Sequence, residues 1–449
     1  MIPNIAGKRF GVVGLGKSGR ATVASMVASG AEIFAWDDKE TTRAAVQKEF
    51  TAVHITPVST WDIAAFSSIV MSPGIMLSHP AVLAAKKHGV EVIGDVELLF
   101  RAQPHARYIG ITGTNGKSTT TTLIAHILQA CGKRVEVGGN LGTPALALAP
   151  LEADGIYVLE MSSYQLDLVT TVKFKTAVLL NISPDHLDHH GSMDNYIDAK
   201  RHIFDRQGRH DVAVVGIDDA TSVAICRDLI SHTCQRVIPI TATQGVQHGI
   251  SAQGGVIEGA DITAITSLQG EHNWQNAAAS YAVARAEGCT HGKIIAAMET
   301  YPGLAHRMQW LGAHGGIKFV NDSKATNADA AEKALRTYDG IYWILGGVAK
   351  EGGIEPLAHY FPKIRHAFLI GAAAGDFAKT LAGHVEFTQC GSLENAFNAA
   401  AAQAQKAGDK TPVILLSPAC ASFDQFENFE KRGEAFIRLV DAFAAGEKS

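Results

Sequence analysis

Short apolar runs alternate with segments of helical periodicity along almost the whole chain. Short runs that end in glycine or in polar residues are typical of buried strands. They predict strands at Arg9–Leu15, Glu32–Trp36, Ser68–Met71, Val90–Ile93, Tyr108–Ile111, Ile156–Glu160, Thr176–Asn181, Val212–Gly216, Lys318–Asn321, Ile341–Leu345, Ala367–Ile370 and Val413–Ser417. Helices are predicted between most of them, as at Ser18–Ala28, Thr119–Ala130 and Asn273–Glu287. This alternation predicts an α/β fold of parallel sheets with helices on both faces.

Two breaks in the pattern divide the chain into three predicted domains. The stretch Ala102–Ala106 separates a helical pattern from a new strand, and Tyr301–Leu304 does the same further along. A length of 449 residues is compatible with three domains of about 150 residues each. We therefore expect domains at 1–100, 101–302 and 303–449, with a hairpin or surface excursion in the Gly-rich section Gly245–Gly259.

Composition and charge exclude several classes of protein to which the chain could belong. The chain has 39 Lys and Arg against 44 Asp and Glu, a net charge of −5, whereas a broad nucleic-acid surface needs a basic excess. No apolar run approaches the roughly 18 residues of a membrane span. Six cysteines without a CxxC pair argue against a disulfide framework or a cysteine zinc knuckle. We expect a cytoplasmic protein that binds neither nucleic acid nor membrane.

A glycine loop follows the first predicted strand. Gly14, Gly16 and Gly19 have the G-x-G-x-x-G spacing, and Asp37 ends the next strand. Such glycines allow a tight turn and close approach of a phosphate to a helix N-terminus. The loop predicts a Rossmann-like domain that binds a phosphate-containing nucleotide, although a turn needed only for packing is the alternative. The turn Ser72–Gly74 closes a later strand and would line the same crevice.

A second phosphate loop opens the central domain. The run Thr112–Thr119 reads TGTNGKST, between a predicted strand and a predicted helix. Its backbone N–H groups would cradle phosphates, while Lys117 would neutralise the β and γ oxygens and Ser118 would hold Mg²⁺. The strict P-loop spacing is not met, because Ile111 stands where the first glycine is expected. The motif nevertheless predicts a P-loop ATPase domain that binds ATP or GTP.

Other polar residues, at strand ends and on helices, are candidate ligands of the nucleotide or metal at this phosphate loop. Glu160 is either a second Mg²⁺ ligand or a surface acid. His186, His189 and His190 suggest zinc, but no cysteine or second cluster supports that interpretation. Asn273 and Asn276 lie on one helix face, and their amides could hydrogen-bond to the donor and acceptor edge of adenine. The alternative is that they are exposed or helix-capping asparagines.

Seven segments together resemble the Mur ligase family. They read GTNGKST, LEMSSYQLD, NISPDHLDHH, HNWQNAAA, GLAHRMQ, NDSKATN and SPACASFDQF. The N-terminal GLGKSG block, the SPG turn and SPACASFDQF are similar to the branch that adds D-glutamate to UDP-N-acetylmuramoyl-L-alanine in peptidoglycan precursor synthesis. The resemblance implies three domains, with a Rossmann-like C-terminal one. It also implies ATP, two Mg²⁺ ions and an acyl-phosphate route in a monomeric ligase.

The resemblance assigns roles to residues in every domain. For the UDP-sugar it implies Gly14, Ser18, Asp37, Ser72, Gly74, Asn140 and Gln165. For ATP it implies Gly113, Thr114, Asn115, Gly116, Lys117, Ser118, Thr119, Asn273, Asn276, Arg307 and Asp322, with Arg307 reaching the phosphates across the domain cleft. For D-glutamate it implies Thr326, Lys350, Ser422 and the backbone N–H of Phe429.

The same resemblance implies the metal ligands and the catalytic groups. The implied metal ligands are Ser118, Glu160, His186 and a carbamylated Lys200. The implied catalytic residues are Lys117, His186, Lys200 and Lys324. A lysine made less basic by burial could attack CO₂ and become such a carbamate.

Three alternatives remain open from the sequence. A dinucleotide oxidoreductase would explain the first glycine loop, and Asp38-Lys39 replace the Thr-Arg of family members at this edge. A folylpolyglutamate synthase-like ligase would share GTNGKST, and a nucleotide-dependent switch would need no amine pocket.

Overall fold

The computed structural model describes residues 1–350, 352–408 and 411–446. The chain divides into two compact units. The first consists of Met1–Thr263 with Glu271–Thr300, and the second of Ala264–Gly270 with the chain from Tyr301 onward. The first unit holds two large sheets and the second holds one.

The N-terminal sheet is five-stranded and wholly parallel, in the order β3-β2-β1-β4-β5. Its strands are β1 (Arg9–Val13), β2 (Glu32–Trp36), β3 (His54–Ile55), β4 (Ser68–Met71) and β5 (Glu91–Ile93). Its helices are α1 (Lys17–Ala28), α2 (Glu40–Glu49), α3 (Pro80–His88) and α4 (Asp95–Ala102). The order reverses between β1 and β4, which is where such sheets open a ligand crevice at their carboxyl ends.

The central sheet is seven-stranded and parallel, in the order β12-β11-β10-β9-β6-β8-β7. Its strands are β6 (Arg107–Thr112), β7 (Val135–Gly139), β8 (Ile156–Glu160), β9 (Thr176–Leu179), β10 (Val212–Gly216), β11 (Arg236–Thr241) and β12 (Ile250–Ser251), followed by the antiparallel pair β13 (Val256–Ile257) and β14 (Ala260–Asp261). Its helices are α5 (Lys117–Ala130), α6 (Ser163–Leu166), α7 (Leu187–His190), α8 (Met193–Arg201), α9 (Ala220–His232), α10 (Glu271–Ala286) and α11 (His291–Glu299). The strands that carry the predicted phosphate chemistry, β6 and β8, are neighbours, and β8 lies next to the edge strand β7.

Side-chain hydrogen bonds join the two sheets of the first unit. Glu97 of α4 accepts backbone N–H groups of Thr170 and Thr171 at 2.8 and 2.9 Å. Ser25 of α1 donates to the carbonyl of Leu146 at 3.1 Å. These contacts tie α1 and α4 to loops of the central sheet.

The third sheet is six-stranded, in the order β15-β16-β21-β17-β19-β20. Its unit contains β15 (Gln309–His314), β16 (Ile317–Asn321), β17 (Ile341–Gly346), β18 (Val348–Ala349), β19 (Ile364–Ile370), β20 (Phe387–Gly391), β21 (Val413–Leu416) and β22 (Cys420–Ala421). Its helices are α12 (Ala328–Thr337), α13 (Ala374–Leu381), α14 (Leu393–Ala407) and α15 (Phe429–Gly446), with a 3₁₀ helix at Glu355–Lys363. The sheet is otherwise parallel, and its edge strand β15 pairs antiparallel with β16.

Most predicted strands are present within a residue or two of their predicted bounds. Among the strands longer than two residues, β7, β11, β15 and β20 were not predicted from the sequence. Across the described residues, no helix combines the length and the apolarity that crossing a membrane requires.

Candidate active site

The glycine loop of the first sheet is held by the carboxylate of Asp37. Its Oδ2 accepts the N–H of Leu15 at 2.7 Å, and its Oδ1 accepts the N–H of Lys39 at 2.9 Å. A Cβ at Gly19 would lie 1.8 Å from the carbonyl oxygen of Gly14, so only glycine allows this approach of α1 to β1. The N-terminus of α1, which has no side-chain cap at Gly16, would therefore face an anion with its backbone N–H groups.

The serine–proline–glycine turn lines the same crevice. Ser72 Oγ donates to the carbonyl of Gly14 at 2.9 Å, which joins the turn to the loop. The crevice has a volume of about 520 Å³, a size suited to a nucleotide. It brings together the predicted residues Gly14, Ser18, Asp37, Ser72 and Gly74.

The second phosphate loop runs from the end of β6 to the start of α5. Gly113 and Gly116 have φ angles of +146° and +83°, and a Cβ at Gly116 would lie 2.3 Å from Asn276 Oδ1. Lys117 Nζ donates to the carbonyls of Gly113 and Thr114 at 2.7 and 2.8 Å. The predicted residues Lys117, Ser118 and Thr119 form the first turn of α5. This strand–loop–helix arrangement is the geometry that cradles phosphates.

Asn181, which the sequence analysis did not assign, holds the P-loop in place. Its Oδ1 accepts the N–H of Asn115 at 2.8 Å, and its carbonyl accepts the N–H of Thr114 at 2.9 Å. Thr114 Oγ1 also lies 3.0 Å from the hydroxyl of Tyr196. Its position in the sequence could have identified Asn181 as a site residue, because it follows closely after β9 at the carboxyl edge of the sheet.

Lys200 of α8 points to the same loop. Its side chain is buried, and its Nζ donates to the carbonyl of Gly113 at 2.9 Å and lies 4.6 Å from the ring centre of Tyr196. Burial, followed by the positive charge of Lys117, lowers the pKa of Lys200 to about 7. Two lysines thus meet at one carbonyl oxygen, and one of them has an amine that is partly neutral near pH 7.

Glu160 ends β8 beside the P-loop strand and has the features of a metal ligand. It is buried, and its Oε1 accepts Asn140 Nδ2 at 2.7 Å. Its Oε2 is also buried and has no hydrogen-bond partner among the described residues. A buried carboxylate oxygen without a partner is costly, and a bound cation would offset that cost. The predicted ligands Glu160 and Ser118 therefore fit Mg²⁺, which takes few protein oxygens.

His186 and Gln165 lie on the segments that flank this site. His186 has a φ of +53° immediately before α7, and its ring centre is 5.0 Å from that of Tyr164. Gln165 is buried and forms a capping box with Ser162 at the start of α6. The side chain of Gln165, which is predicted to contact the sugar, is therefore already hydrogen-bonded within its own helix turn.

Asn276 and Asn273 lie on α10 against the P-loop helix. Asn276 Oδ1 accepts Thr120 Oγ1 at 3.1 Å, and its Nδ2 donates to Asn273 Oδ1 at 3.2 Å. Both amides are buried. The structure gives Asn276 a bracing role beneath the loop, whereas the adenine contact stays a prediction.

In the second unit, Asp322 follows β16 and is buried. It accepts the N–H of Met308 at 3.0 Å and Ser417 Oγ at 2.7 Å. Burial raises the pKa of Asp322 to about 7, although these hydrogen bonds act in the opposite direction. The predicted phosphate contact Arg307 is exposed, between two residues of positive φ, His306 and Met308.

Lys324 and Phe429 are in contact with each other. Lys324 Nζ lies 3.9 Å from the centre of the Phe429 ring. Phe429 is the first residue of α15, so its N–H belongs to the helix terminus that lacks intrahelical acceptors. This supports the prediction that its backbone, rather than its ring, meets a carboxylate.

Arg432 was missed by the sequence analysis, although it organises this part of the unit. It is almost fully buried, and its guanidinium donates to Ser323 Oγ and to the carbonyls of Ser323 and Cys420 at 2.9–3.0 Å. Burial lowers the pKa of Arg432 to about 10. No sequence motif distinguished it from an ordinary helix arginine.

The remaining predicted amino-acid contacts lie around a small antiparallel ladder. Val348 and Ala349 of β18 pair with Ala421 and Cys420 of β22. Lys350 follows β18 and is exposed, while Ser422 follows β22 and is buried. Thr326 is half-buried in the loop between β16 and α12.

Family models match all three sheets. The Mur ligase MurD-like N-terminal domain matches residues 8–94, the Mur ligase middle domain matches 111–284, and the Mur ligase glutamate ligase domain matches 306–420. Among solved structures, MurF from Acinetobacter baumannii is 18% identical over 98% of this chain and 92% of its own, with a TM-score of 0.58. MurC from Thermotoga maritima is 15% identical over 97% and 99%, with a TM-score of 0.56. These likenesses show the three-domain α/β fold.

Relatives match at higher identity over nearly their full length. The UDP-N-acetylmuramoylalanine–D-glutamate ligase of Paramagnetospirillum magneticum is 50% identical over 99% of both chains. The ligases of the same name from Caulobacter vibrioides and Rhodospirillum rubrum are each 47% identical, over 98% and 97% of this chain and 97% and 94% of their own. This chain belongs to the Mur ligase family.

Proposed function

We propose that the protein is an ATP-dependent ligase that joins D-glutamate to UDP-N-acetylmuramoyl-L-alanine in peptidoglycan precursor synthesis. The alanine carboxylate is a poor electrophile, so ATP first transfers its γ-phosphoryl group to it and leaves ADP. The amine of D-glutamate then attacks the acyl phosphate. An amide bond forms, the carbon–oxygen bond to phosphate breaks, and the amine gives up a proton.

The observation that carries this proposal is the phosphate loop with its two lysines. Lys117 and Lys200 donate to the same carbonyl of Gly113, beside the buried carboxylate of Glu160. Positive charge fixed in this way stabilises a transferring phosphoryl group, and phosphoryl transfer depends mainly on positioning and charge. The substrates follow from the names of relatives that match almost the whole chain.

Mg²⁺ would be held by Ser118 and Glu160, and a second ion by His186 with a carbamylated Lys200. Bound Mg²⁺ would neutralise charge on the phosphate oxygens. The unpartnered Oε2 of Glu160 supports the first of these assignments. The lowered pKa of Lys200 supports the second, because only a neutral amine attacks CO₂.

We further propose separate roles for the other site residues. The crevice at Gly14, Ser18, Asp37, Ser72 and Gly74, with Asn140 and Gln165, would bind the UDP-sugar. Residues Gly113, Thr114, Asn115, Gly116, Thr119, Asn273, Asn276, Arg307 and Asp322 would bind ATP. Thr326, Lys350, Ser422 and the N–H of Phe429 would bind D-glutamate, with Lys324 near the γ-phosphate. The protein would act as a monomer.

Two alternatives are disfavoured. A dinucleotide oxidoreductase leaves the P-loop, Glu160 and Lys200 without a role. A folylpolyglutamate synthase-like ligase shares the central motif but does not explain the match to the MurD-like N-terminal model.

A phosphate-release assay tests the proposal. Purified protein receives ATP, Mg²⁺ and UDP-N-acetylmuramoyl-L-alanine, with D- and L-amino acids added one at a time. We expect phosphate release that requires both D-glutamate and the UDP-sugar. Nucleotide binding without turnover would instead indicate a switch protein, and reduction of a nicotinamide without ATP would indicate an oxidoreductase.

A further inference from the structure

Two short helices of the central domain bring three side chains with metal-binding atoms together. Asp167 follows the last residue of α6, and His189 and His190 end α7. One ligand atom of each side chain lies within 4.8 Å of the ligand atoms of the other two. None of the three has a role in the proposed reaction. Zinc was disfavoured from the sequence because no cysteine or second cluster accompanied the histidines, and the fold brings Asp167 to them.

The hydrogen bonding of His190 orients its ring for coordination. Its Nε2 lies 2.9 Å from Ser163 Oγ, and its Nδ1 lies 3.9 Å from Asp167 Oδ2. The second distance is too long for a hydrogen bond. We therefore assign the proton to Nε2, where it is donated to Ser163, so that the Nδ1 lone pair faces the carboxylate. A metal-bound histidine is usually oriented by a hydrogen bond from its other ring nitrogen in this way.

One of these separations, that of His190 Nδ1 from Asp167 Oδ2, is close to the distance between two ligands of one ion. Ligands about 2.0–2.2 Å from a tetrahedral zinc ion are roughly 3.3 Å apart. The pair His190 Nδ1 and Asp167 Oδ2 would therefore have to approach by only roughly 0.6 Å. Such a shift is within the reach of side-chain torsions in two short helices.

The surroundings keep the two imidazoles in their neutral, coordinating form, whereas burial disfavours the charge on the carboxylate of Asp167. Both the His190 ring and the Asp167 carboxylate are largely buried, and Tyr164 packs against both imidazoles. Burial lowers the pKa of His190 to about 4 and also lowers that of His189, so both imidazoles are neutral near pH 7. Burial raises the pKa of Asp167 to about 6, and this effect exceeds the attraction of His202 and Lys86. A bound cation would stabilise that carboxylate.

We infer that Asp167, His189 and His190 form a binding site for a divalent transition-metal ion of the zinc class, with a fourth position open to water. Two imidazole nitrogens and one carboxylate suit zinc, whereas Mg²⁺ prefers oxygen ligands alone. A bound ion would tie the end of α6 to α7. Because α7 begins directly after His186, the ion would also restrain the loop that carries this residue.

Metal titration of the full-length protein tests the inference independently of the proposed activity. The protein is stripped with a chelator and kept in excess Mg²⁺, and Zn²⁺ affinity is measured by competition with a chromophoric chelator. Co²⁺ in place of Zn²⁺ reports coordination through its visible absorption bands. We expect one Zn²⁺ per chain, bound with an affinity that falls by at least about tenfold in His189→Ala and in Asp167→Asn.

A matched control and a second comparison make the outcome decisive. His232→Ala removes an exposed histidine of α9 that pairs with Asp228 outside the three-residue cluster, so Zn²⁺ affinity should be unchanged. Thermal unfolding confirms that each variant is folded, and Asp167→Asn preserves shape if His189→Ala does not fold. Wild-type-like affinity in both folded variants would overturn the inference. So would a loss of Zn²⁺ binding confined to His186→Ala, which would locate the ion with the proposed magnesium ligands.

Discussion

At Lys200, burial and one neighbouring cation change what a lysine amine can do. Its pKa of about 7 leaves a substantial neutral fraction that grows as the pH rises above 7, so carbamate formation from CO₂ becomes more favourable in that direction. We expect Lys200→Ala to reduce phosphate release by at least about a hundredfold. A short-chain carboxylic acid should restore part of the activity, because it replaces the missing carbamate oxygens.

The matched control for this rescue is Lys117→Ala. Both side chains donate to the carbonyl of Gly113, but Lys117 is proposed to act as a cation that no acid replaces. Rescue should therefore appear in the Lys200 variant alone. Absence of any rescue across a series of acids would contradict the carbamate role.

Arg432 shows the opposite use of a buried cation. Its guanidinium is almost fully buried and donates to backbone carbonyls and a serine hydroxyl, with no carboxylate among its hydrogen-bond partners in the described residues. Arg432→Met would leave these acceptors buried without donors, at about 1–3 kcal/mol for each. We expect unfolding by urea at a lower midpoint and a raised KM for D-glutamate, because the segments after β16 and β22 lose their common anchor. Arg438→Met offers a control on the same helix.

At the scale of elements, Glu97 of α4 fastens the N-terminal sheet to the central one. Its carboxylate accepts backbone N–H groups of Thr170, Thr171 and Val172 and pairs with Arg101 at 2.9 Å. Glu97→Gln places an amide N–H against these donors, so we expect a loss of about 3 kcal/mol in the free energy of unfolding. Glu49→Gln, which removes an exposed pair with Arg20, should cost less than about 1 kcal/mol.

The stabilisation that the Glu97 carboxylate provides depends on pH in one direction. Burial alone would raise the pKa of Glu97, but hydrogen bonds from Thr171 and Thr170 and the charge of Arg101 leave it lowered. Its stabilisation is therefore fully present above the unfolded-state pKa of about 4.3 and is lost as the pH falls through the folded-state pKa. The difference between wild type and Glu97→Gln should shrink in urea titrations below about pH 4. A constant difference would contradict this account.

The same scale shows why most, but not all, elements could be predicted. Buried central strands such as β8 and β17 are continuous apolar runs, and their pattern survives in the sequence. The missed strand β11 contains Pro239, which is read as a breaker but is tolerated near a sheet edge. Edge strand β7 ends in two glycines and is only partly buried, so its apolar signal is weak. The antiparallel β15 depends on pairing with β16, which local pattern does not specify.

At the scale of the whole molecule, sequence motifs located the two phosphate loops but not the residues that support them. Each loop is one continuous segment with a fixed spacing of glycines, so it can be recognised in the sequence. Asn181, Arg432 and Asp167 act on segments distant in sequence, and only the fold brings them to their partners. Local motifs therefore predict where phosphates would bind, while the bracing and the metal cluster depend on tertiary structure.

The placement of the two phosphate loops on different sheets predicts that their functions separate. The crevice at Gly14 belongs to the N-terminal sheet, whereas Lys117 begins the helix after β6 of the central sheet. Lys117→Ala should therefore reduce phosphate release by at least about a hundredfold while calorimetry shows UDP-sugar affinity within about twofold of wild type. Lys87→Ala, an exposed change on α3, should alter neither quantity. Equal loss of turnover and UDP-sugar binding in Lys117→Ala would mean that one loop serves both ligands, and the assignment of two nucleotide sites would be wrong.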